Sequence, residues 1–133
     1  MWMASNTHGV VRIQGSGHSL NGYTLSAYSV VNGKLNSNYA DCIYKDIEGR
    51  IWVGTGGSGL SLYDAVEDRF LPVHQLWNLP GDAVTSIQSD KKGDLWLGTN
   101  AGLLKLTVPK DLQNVTYRLY TTSDGLQDNL FNR

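Results

Sequence analysis

The chain has 133 residues, with 12 Asp and Glu against 11 Lys and Arg, and a net charge of -1. It contains no basic run, which argues against a nucleic-acid partner, and neither a signal peptide nor an apolar stretch near the roughly 20 residues of a membrane helix. Its 15 Gly, 3 Pro, 4 Trp and 7 Tyr are typical of a turn-rich β protein.

A tryptophan-centred pattern occurs three times along the chain. Trp2, Trp52 and Trp96 are each followed two residues later by Ala or Gly and then by Ser or Thr, at spacings of 50 and 44 residues. A fixed period in this range indicates a repeat architecture.

Each unit is predicted to contain four short strands, because its apolar runs are short and bounded by Gly, Asn, Asp or Pro. In the second unit the predicted strands are Ala40–Lys45, Ile51–Thr55, Gly59–Asp64 and 69–73. In the third unit they are Val84–Ser89, Leu95–Thr99, Gly102–Thr107 and 116–121. The first unit lacks its first strand, and no window has a helical apolar period.

The turn between the first two strands of a unit has a local cause. Asp46 and Gly49, like Asp90 and Gly93, have the spacing at which the Asp side chain accepts backbone hydrogen bonds and Gly takes a positive φ. We therefore interpret both Asp residues as turn residues. The Trp that follows should fill the space between adjacent sheets, and Ala4, Gly54 and Gly98 should be small because neighbouring backbones approach there.

Four-stranded antiparallel units of this period, each with a Gly and aromatic motif, predict an all-β fold of β-propeller blades. A sandwich ranks behind this interpretation. We expect about three blade equivalents and an incomplete propeller, divided into 1–38 (a blade without its first strand), 39–82 and 83–122 (full blades), and 123–133 (a linker and the next first strand). Two copies would close a six-bladed ring; the favoured alternative is a fragment of a longer protein.

The stretch 84–103 resembles the two-component regulator propeller repeat, and the resemblance returns at 42–60 and more weakly at 2–10. Residues 122–132 and 32–38 resemble the family's linker between blades. The resemblance implies the periplasmic sensor region of a membrane-spanning histidine kinase, often a hybrid one, many of which sense oligosaccharides. Kinase chemistry is expected only in the parent protein.

Motifs that point to other chemistry are weak. The pattern G-x-G-x-x-G at 54–59 lacks the following helix that dinucleotide binding requires, so we interpret it as a hairpin loop. His8, His18 and His74 have no metal-ligand spacing, and no nucleophile with an oriented base is legible. We therefore expect no catalytic residue, no metal and no cofactor.

Binding residues should occur where the repeats differ, on loops that open on one face. The predicted ligand-binding residues are Asn6, His8, Ser58, His74, Trp77, Asn78, Asp82 and Asn100, with Asn36 and Asn38 nearby. Trp77 either stacks on a sugar or packs under its own loop, and both interpretations remain open here.

The leading hypothesis is therefore a non-catalytic, ligand-sensing segment of a two-component sensor that binds an oligosaccharide. The alternatives are a propeller-fold carbohydrate-active enzyme, either a lyase or a glycosidase, and a protein-interaction scaffold. The expected partners are a small-molecule ligand and other propeller blades or a second copy of the chain.

Overall fold

The computed structural model describes residues 1–5, 7–15 and 22–121. Within these residues lie eleven strands and one short helix. Their bounds are β1 (Trp2–Ser5), β2 (Gly9–Gln14), β3 (Thr24–Tyr28), β4 (Ala40–Lys45), β5 (Ile51–Thr55), β6 (Gly59–Asp64), β7 (Arg69–Leu71), α1 (Val73–Leu76), β8 (Val84–Ser89), β9 (Leu95–Thr99), β10 (Gly102–Thr107) and β11 (Thr116–Tyr120).

The strands form three separate antiparallel sheets in which consecutive strands pair. Sheet I contains β1 to β3, sheet II contains β4 to β7, and sheet III contains β8 to β11. Strand β4 lies against β1 on one side and against β8 on the other. The first strands of sheets II and III are therefore neighbours, as the inner strands of propeller blades around a common axis are. The predicted all-β fold of separate blades is confirmed.

The predicted fourth strands end too late. Strand β7 ends at Leu71, so the prediction of 69–73 was wrong at its end, and β11 ends at Tyr120. Pro72 has no N–H to continue the pairing, and the chain turns there into α1, a helix too short to give an apolar period. No helix within the described residues is long and apolar enough to cross a membrane. The domain boundaries remain a prediction, and 123–133 lies outside the described residues.

The predicted turns are present in both full units. Asp46 Oδ1 accepts hydrogen bonds of 2.9 Å from the backbone N–H of Glu48 and of Arg50. Asp90 repeats this arrangement at 2.9 and 3.1 Å. Gly49 and Gly93 have φ of 82° and 87°, which confirms why glycine is needed there.

Each turn carboxylate also holds the blade tryptophan, a contact that was not predicted. The indole N–H of Trp52 donates to Asp46 Oδ2 at 2.8 Å, and that of Trp96 donates to Asp90 Oδ2 at 2.9 Å. Burial alone would raise the pKa of Asp46, but hydrogen bonds from Trp52 and Arg50 outweigh it and lower the pKa. The indole bond is the main cause that lowers the pKa of Asp90.

Two hydrophobic layers separate the three sheets. The layer between sheets I and II contains Val10, Tyr28, Leu35, Ala40, Val53 and Phe70. Trp52 is fully buried in the layer between sheets II and III, as predicted. A Cβ on Gly54 would lie 2.7 Å from the carbonyl O of Val84 in sheet III, so the predicted close approach of backbones is confirmed at this position.

Candidate functional site

Two kinds of loop lie on one side of the molecule. One kind joins the second and third strands of each repeat unit, and the other follows the last strand of each unit. We call this surface the loop face; it is formed by 7–8, 29–39, 56–58, 72–83 and 99–102. Three backbone hydrogen bonds of 2.9 Å, each from an N–H in or directly after a loop to a connection carbonyl, tie it together: Gly9 to Asn38, Gly56 to Tyr39, and Gly57 to Asp82. Backbone contacts therefore hold these loops and connections together.

Asp82 and Asn100 form a reciprocal pair on the loop face. Asn100 Nδ2 donates to Asp82 Oδ1 at 2.7 Å, and Asn100 Oδ1 accepts from the Asp82 N–H at 3.0 Å. Both side chains are exposed. The pair borders a cleft of about 430 Å³ lined by Ala83, Thr85, Thr99, Asn100, Ala101, Gly102 and Thr121. Carboxylate and amide groups on its rim suit a ligand rich in hydroxyl groups.

A second cleft of about 420 Å³ lies between sheets I and II on the same face. Tyr39 lines it and is 60% exposed. Ser37 fixes the backbone beside the ring, because its Oγ accepts from the Tyr39 N–H at 3.1 Å and donates to the Gly56 carbonyl at 2.9 Å. The other lining residues include Asn36, Asn38 and Ser58. The sequence analysis missed Tyr39, although Ala83 stands at the corresponding position before the next unit.

Two predicted residues border this second cleft or lie close to it. Ser58 donates from its Oγ to the Asn36 carbonyl at 3.2 Å, and it lines the cleft. His8 is exposed, and its Nδ1 lies 2.7 Å from Thr7 Oγ1. Asn6 lies outside the described residues.

His74 is buried beneath the loop face, at 4% exposure. Its Nδ1 accepts from the Leu60 N–H at 3.2 Å, and this makes Nε2 the donor to the carbonyls of Pro80 at 3.0 Å and Gly81 at 2.8 Å. Both ring nitrogens are therefore engaged within the chain, and the side chain offers a ligand little.

The position of His74 follows from the short fourth strand of sheet II. In sheets I and III the last strand reaches the counterpart of Leu60. Val10 pairs with Tyr28 of β3, and Leu103 pairs with Tyr120 of β11. Strand β7 pairs with β6 only through 62–64, so it does not reach Leu60. The imidazole from α1 takes that place, and it lies so close that a Cβ on Gly59 would be 2.4 Å from His74 Cγ.

Trp77 and Asn78 follow α1 and differ in exposure. Trp77 is half-buried, with its ring centroid 6.0 Å from that of Trp52, and it packs on the core between sheets II and III. Asn78 is exposed at a φ of 52°. Of the two interpretations of Trp77, packing under its own loop has the described contact in its favour.

A polar cluster around Asp68 joins sheets I and II. Asp68 accepts from the hydroxyls of Tyr28 at 2.6 Å and Tyr63 at 2.7 Å, and from Lys34 Nζ at 3.2 Å. These bonds lower the pKa of Asp68 to about 2. Burial, and then the bond to Asp68, raises the pKa of Tyr28. Every partner in the cluster is used between the sheets, so we interpret it as structural.

Chemistry elsewhere is sparse. A cleft of about 700 Å³ lies at the other end of sheets I and II, lined in part by Trp2, Arg12 and Tyr44. In the described part of the chain, no group of three His, Cys, Asp or Glu side chains is placed to hold a metal ion. We take the loop face as the candidate site because it holds the loops at which the repeats differ.

Fold and site together define a run of propeller blades with a polar, aromatic-bearing loop face. Two segments of the chain, 34–57 and 78–101, match the family model of the two component regulator propeller. This match confirms, over these two segments, the resemblance inferred from the repeats.

Solved structures agree with the family match. The extracellular domain of BT3049 from B. thetaiotaomicron, assigned as a hybrid two component system, is 25% identical with a TM-score of 0.72, over 96% of this chain and 16% of that one. The extracellular domain of BT4673 from the same organism, assigned likewise, is 19% identical with a TM-score of 0.65, over 91% of this chain and 17% of that one. This chain thus spans about a sixth of either domain. No curated protein matches it.

Proposed function

We propose that this chain is a non-catalytic, ligand-sensing propeller segment of a two-component sensor, and that its loop face binds an oligosaccharide. Its repeats are those of two component regulator propellers, and the similar solved structures are extracellular domains of systems of that kind. The segment acts in the periplasm and passes the change on binding to a kinase elsewhere in the protein.

The observation that carries the ligand class is an exposed tyrosine, Tyr39, in a cleft that polar side chains also line. Sugars present one apolar ring face and a rim of hydroxyl groups, so their sites combine an aromatic platform with hydrogen-bonding side chains. Tyr39 supplies the platform, and Asn36, Asn38 and Ser58 supply donors and acceptors around it.

The pair of Asp82 and Asn100 extends this surface toward sheet III. Asn100 uses one amide proton on Asp82 Oδ1, while the second carboxylate oxygen and the second amide proton provide an acceptor and a donor. Vicinal hydroxyls of a sugar match such a pair. An oligosaccharide lying across both clefts would contact sheets II and III together, which couples binding to the blade interface.

The carboxyl groups favour binding over hydrolysis. A glycosidase needs a general acid with a raised pKa beside a second carboxylate. Among the described residues, the carboxyl groups with a shifted pKa are Asp46, Asp68 and Asp90, and each is lowered. Each is also occupied by hydrogen bonds within the fold.

The test is binding to a glycan array, followed by titration of the chain with any glycan retained. We expect Tyr39→Ala to weaken binding by up to about tenfold, the equivalent of one aromatic contact. Tyr117→Ala is the matched control, because Tyr117 is 47% exposed on β11, outside the loop face, and should leave binding unchanged. Equal effects of both variants, or no glycan retained, would contradict the proposed site. Release of new reducing ends would contradict the non-catalytic assignment.

A further inference from the structure

The first strand of each full sheet contains one extra residue near the loop face. In sheet II the pairing of β4 with β5 shifts between Ala40 and Cys42, so Asp41 has no partner across the strands. Sheet III repeats this β-bulge, with Thr85 as the extra residue. Bulges redirect side chains and are frequent beside binding sites. The bulge is therefore a position at which the two sheets can differ in what they present to a ligand.

The bulge turns Asp41 out of both hydrophobic layers. Residues two apart on a regular strand lie on the same face of the sheet. Here Ala40 belongs to the layer between sheets I and II, whereas Cys42 packs on the layer between sheets II and III. Asp41 lies between them and is exposed. Among the described residues, none forms a hydrogen bond or an ion pair with its carboxylate, so the fold does not use this group.

The Asp41 carboxylate lies beside the cleft that Tyr39 lines. A Cβ on Gly56 would be 3.7 Å from Asp41 Oδ2 and also 3.7 Å from Tyr39 Cβ. Gly56 itself lines the cleft, and it has no side chain to separate the carboxylate from the tyrosine. The counterpart Thr85 instead donates from its Oγ1 to the Gly98 carbonyl at 3.3 Å. A sugar seated on Tyr39 is therefore close to a negative charge that sheet III lacks at the same position.

Positive charge is scarce on this side of the molecule. Within the described ranges that form the loop face, Lys34 is the one Lys or Arg, and its Nζ lies 3.2 Å from Asp68 Oδ2. Asp82 adds a second carboxylate to the face. The anionic groups of acidic sugars are usually bound by Arg or Lys, and like charges repel. An acidic sugar on these described loops would meet two carboxylates and no unpaired Lys or Arg.

We propose that Asp41 sets the charge preference of the Tyr39 cleft, so that the cleft binds a neutral or amino-bearing sugar and excludes an acidic one. This inference rests on the proposed function, because it names the ligand class of the same cleft. An ionised carboxylate only accepts hydrogen bonds. The hydroxyl groups of a neutral sugar and the ammonium group of an amino sugar are donors that match it, and the ammonium adds an opposite charge.

A glycan array that carries neutral, amino-bearing and acidic glycans tests the proposal, followed by titration of a retained glycan and its acidic counterpart. In wild type, the dissociation constant of the acidic glycan should be at least about fivefold higher. Asp41→Asn removes the charge at nearly constant size, so this ratio should fall toward one while the midpoint of urea unfolding stays unchanged. Glu67→Gln is the matched control, because it removes the same charge from an exposed turn after β6, at the opposite end of sheet II. Its ratio should equal that of wild type.

The outcomes separate this inference from the proposed function. If wild type binds acidic glycans as tightly as their neutral counterparts, the charge preference is wrong and the loop face is still a sugar site. An unchanged ratio in Asp41→Asn, or an equal fall in Glu67→Gln, would overturn the role of Asp41, because the preference would then be absent or would come from net charge alone. An array that retains no glycan would contradict the proposed function, and this inference with it.

Discussion

Gly54 lies where β5 of sheet II meets β8 of sheet III, and its replacement by alanine tests the packing of these sheets. The added Cβ would lie 2.5 Å from Cys42 Sγ, 2.7 Å from the Val84 carbonyl O and 2.8 Å from Val84 Cγ1. A carbonyl in a paired strand cannot rotate away, so relief requires the two sheets to separate locally. We expect Gly54→Ala to lower the free energy of unfolding by about 1–3 kcal/mol, the usual cost of overpacking a core.

Gly56→Ala is the matched control two residues further on. The nearest atoms to its added Cβ lie at 3.7 Å, an ordinary contact. This variant should be neutral or more stable by up to about 1 kcal/mol, because alanine restricts the unfolded chain. Urea unfolding followed by tryptophan fluorescence reports on Trp52, which is buried in the same layer. Protein concentration is held constant because association shifts apparent stability. Equal stability of Gly54→Ala and wild type, or equal loss in both variants, would refute the argument.

Three further changes test single contacts by the same unfolding measurement. His74→Ala removes the acceptor of the Leu60 N–H and should lower the free energy of unfolding by about 2–4 kcal/mol. His74→Gln retains an acceptor and a donor, so its loss of stability should be less than half of that. Equal losses in the two variants would contradict the proposed role of the ring. Ser61→Ala should be neutral or stabilising by up to about 1 kcal/mol, because its buried hydroxyl is without a hydrogen-bond partner among the described residues. Asp68 has a folded pKa lowered to about 2 from 3.8, so its contribution is complete above about pH 5 and is lost as the pH falls through 4 toward 2. Asp68→Asn should remove that acid slope. The raised pKa of Tyr28 has the opposite sign, so its contribution is complete below about pH 10 and is lost as the pH rises further.

The sequence predicted the strands closely because each unit carries its own local signals. Gly and Asp mark every turn, and two nearly complete copies of one pattern check each other. The bond between Asp46 and Trp52 was missed, although an Asp stands six residues before the Trp in both full units. Because a turn role alone accounts for that Asp, its second oxygen was left unassigned.

The role of His74 was not predictable from the sequence, since it depends on contacts far apart in the chain. Pro72 ends β7, α1 returns the chain over Gly59, and the ring then meets the unpaired N–H of Leu60. Each of these steps fits the local sequence. Their combined result depends on how far β7 pairs with β6, and a single sequence does not reveal that register.

The sequence left two interpretations of Trp77 open and gave no weight to Tyr39, for a related reason. Trp77 stands among polar residues in the sequence, but the direction of its side chain is set by α1, which turns the ring toward Trp52. Tyr39 immediately precedes a predicted strand, where alternation and not composition decides exposure. Its signal was the difference from Ala83 at the corresponding position of the next unit.

The loop face also shows how a repeated scaffold leaves room for recognition. Several hydrogen bonds that tie loops to connections run between backbone groups, so these bonds persist when the side chains change. Tyr39 can therefore differ from Ala83, and Ser58 from Ala101, without disturbing the sheets. The repeated Asp, Trp and Gly positions lie at the turns and between the sheets, where side chains do set the fold. Substitutions on the loop face should consequently alter ligand preference at little cost in stability, whereas substitutions between the sheets should alter both.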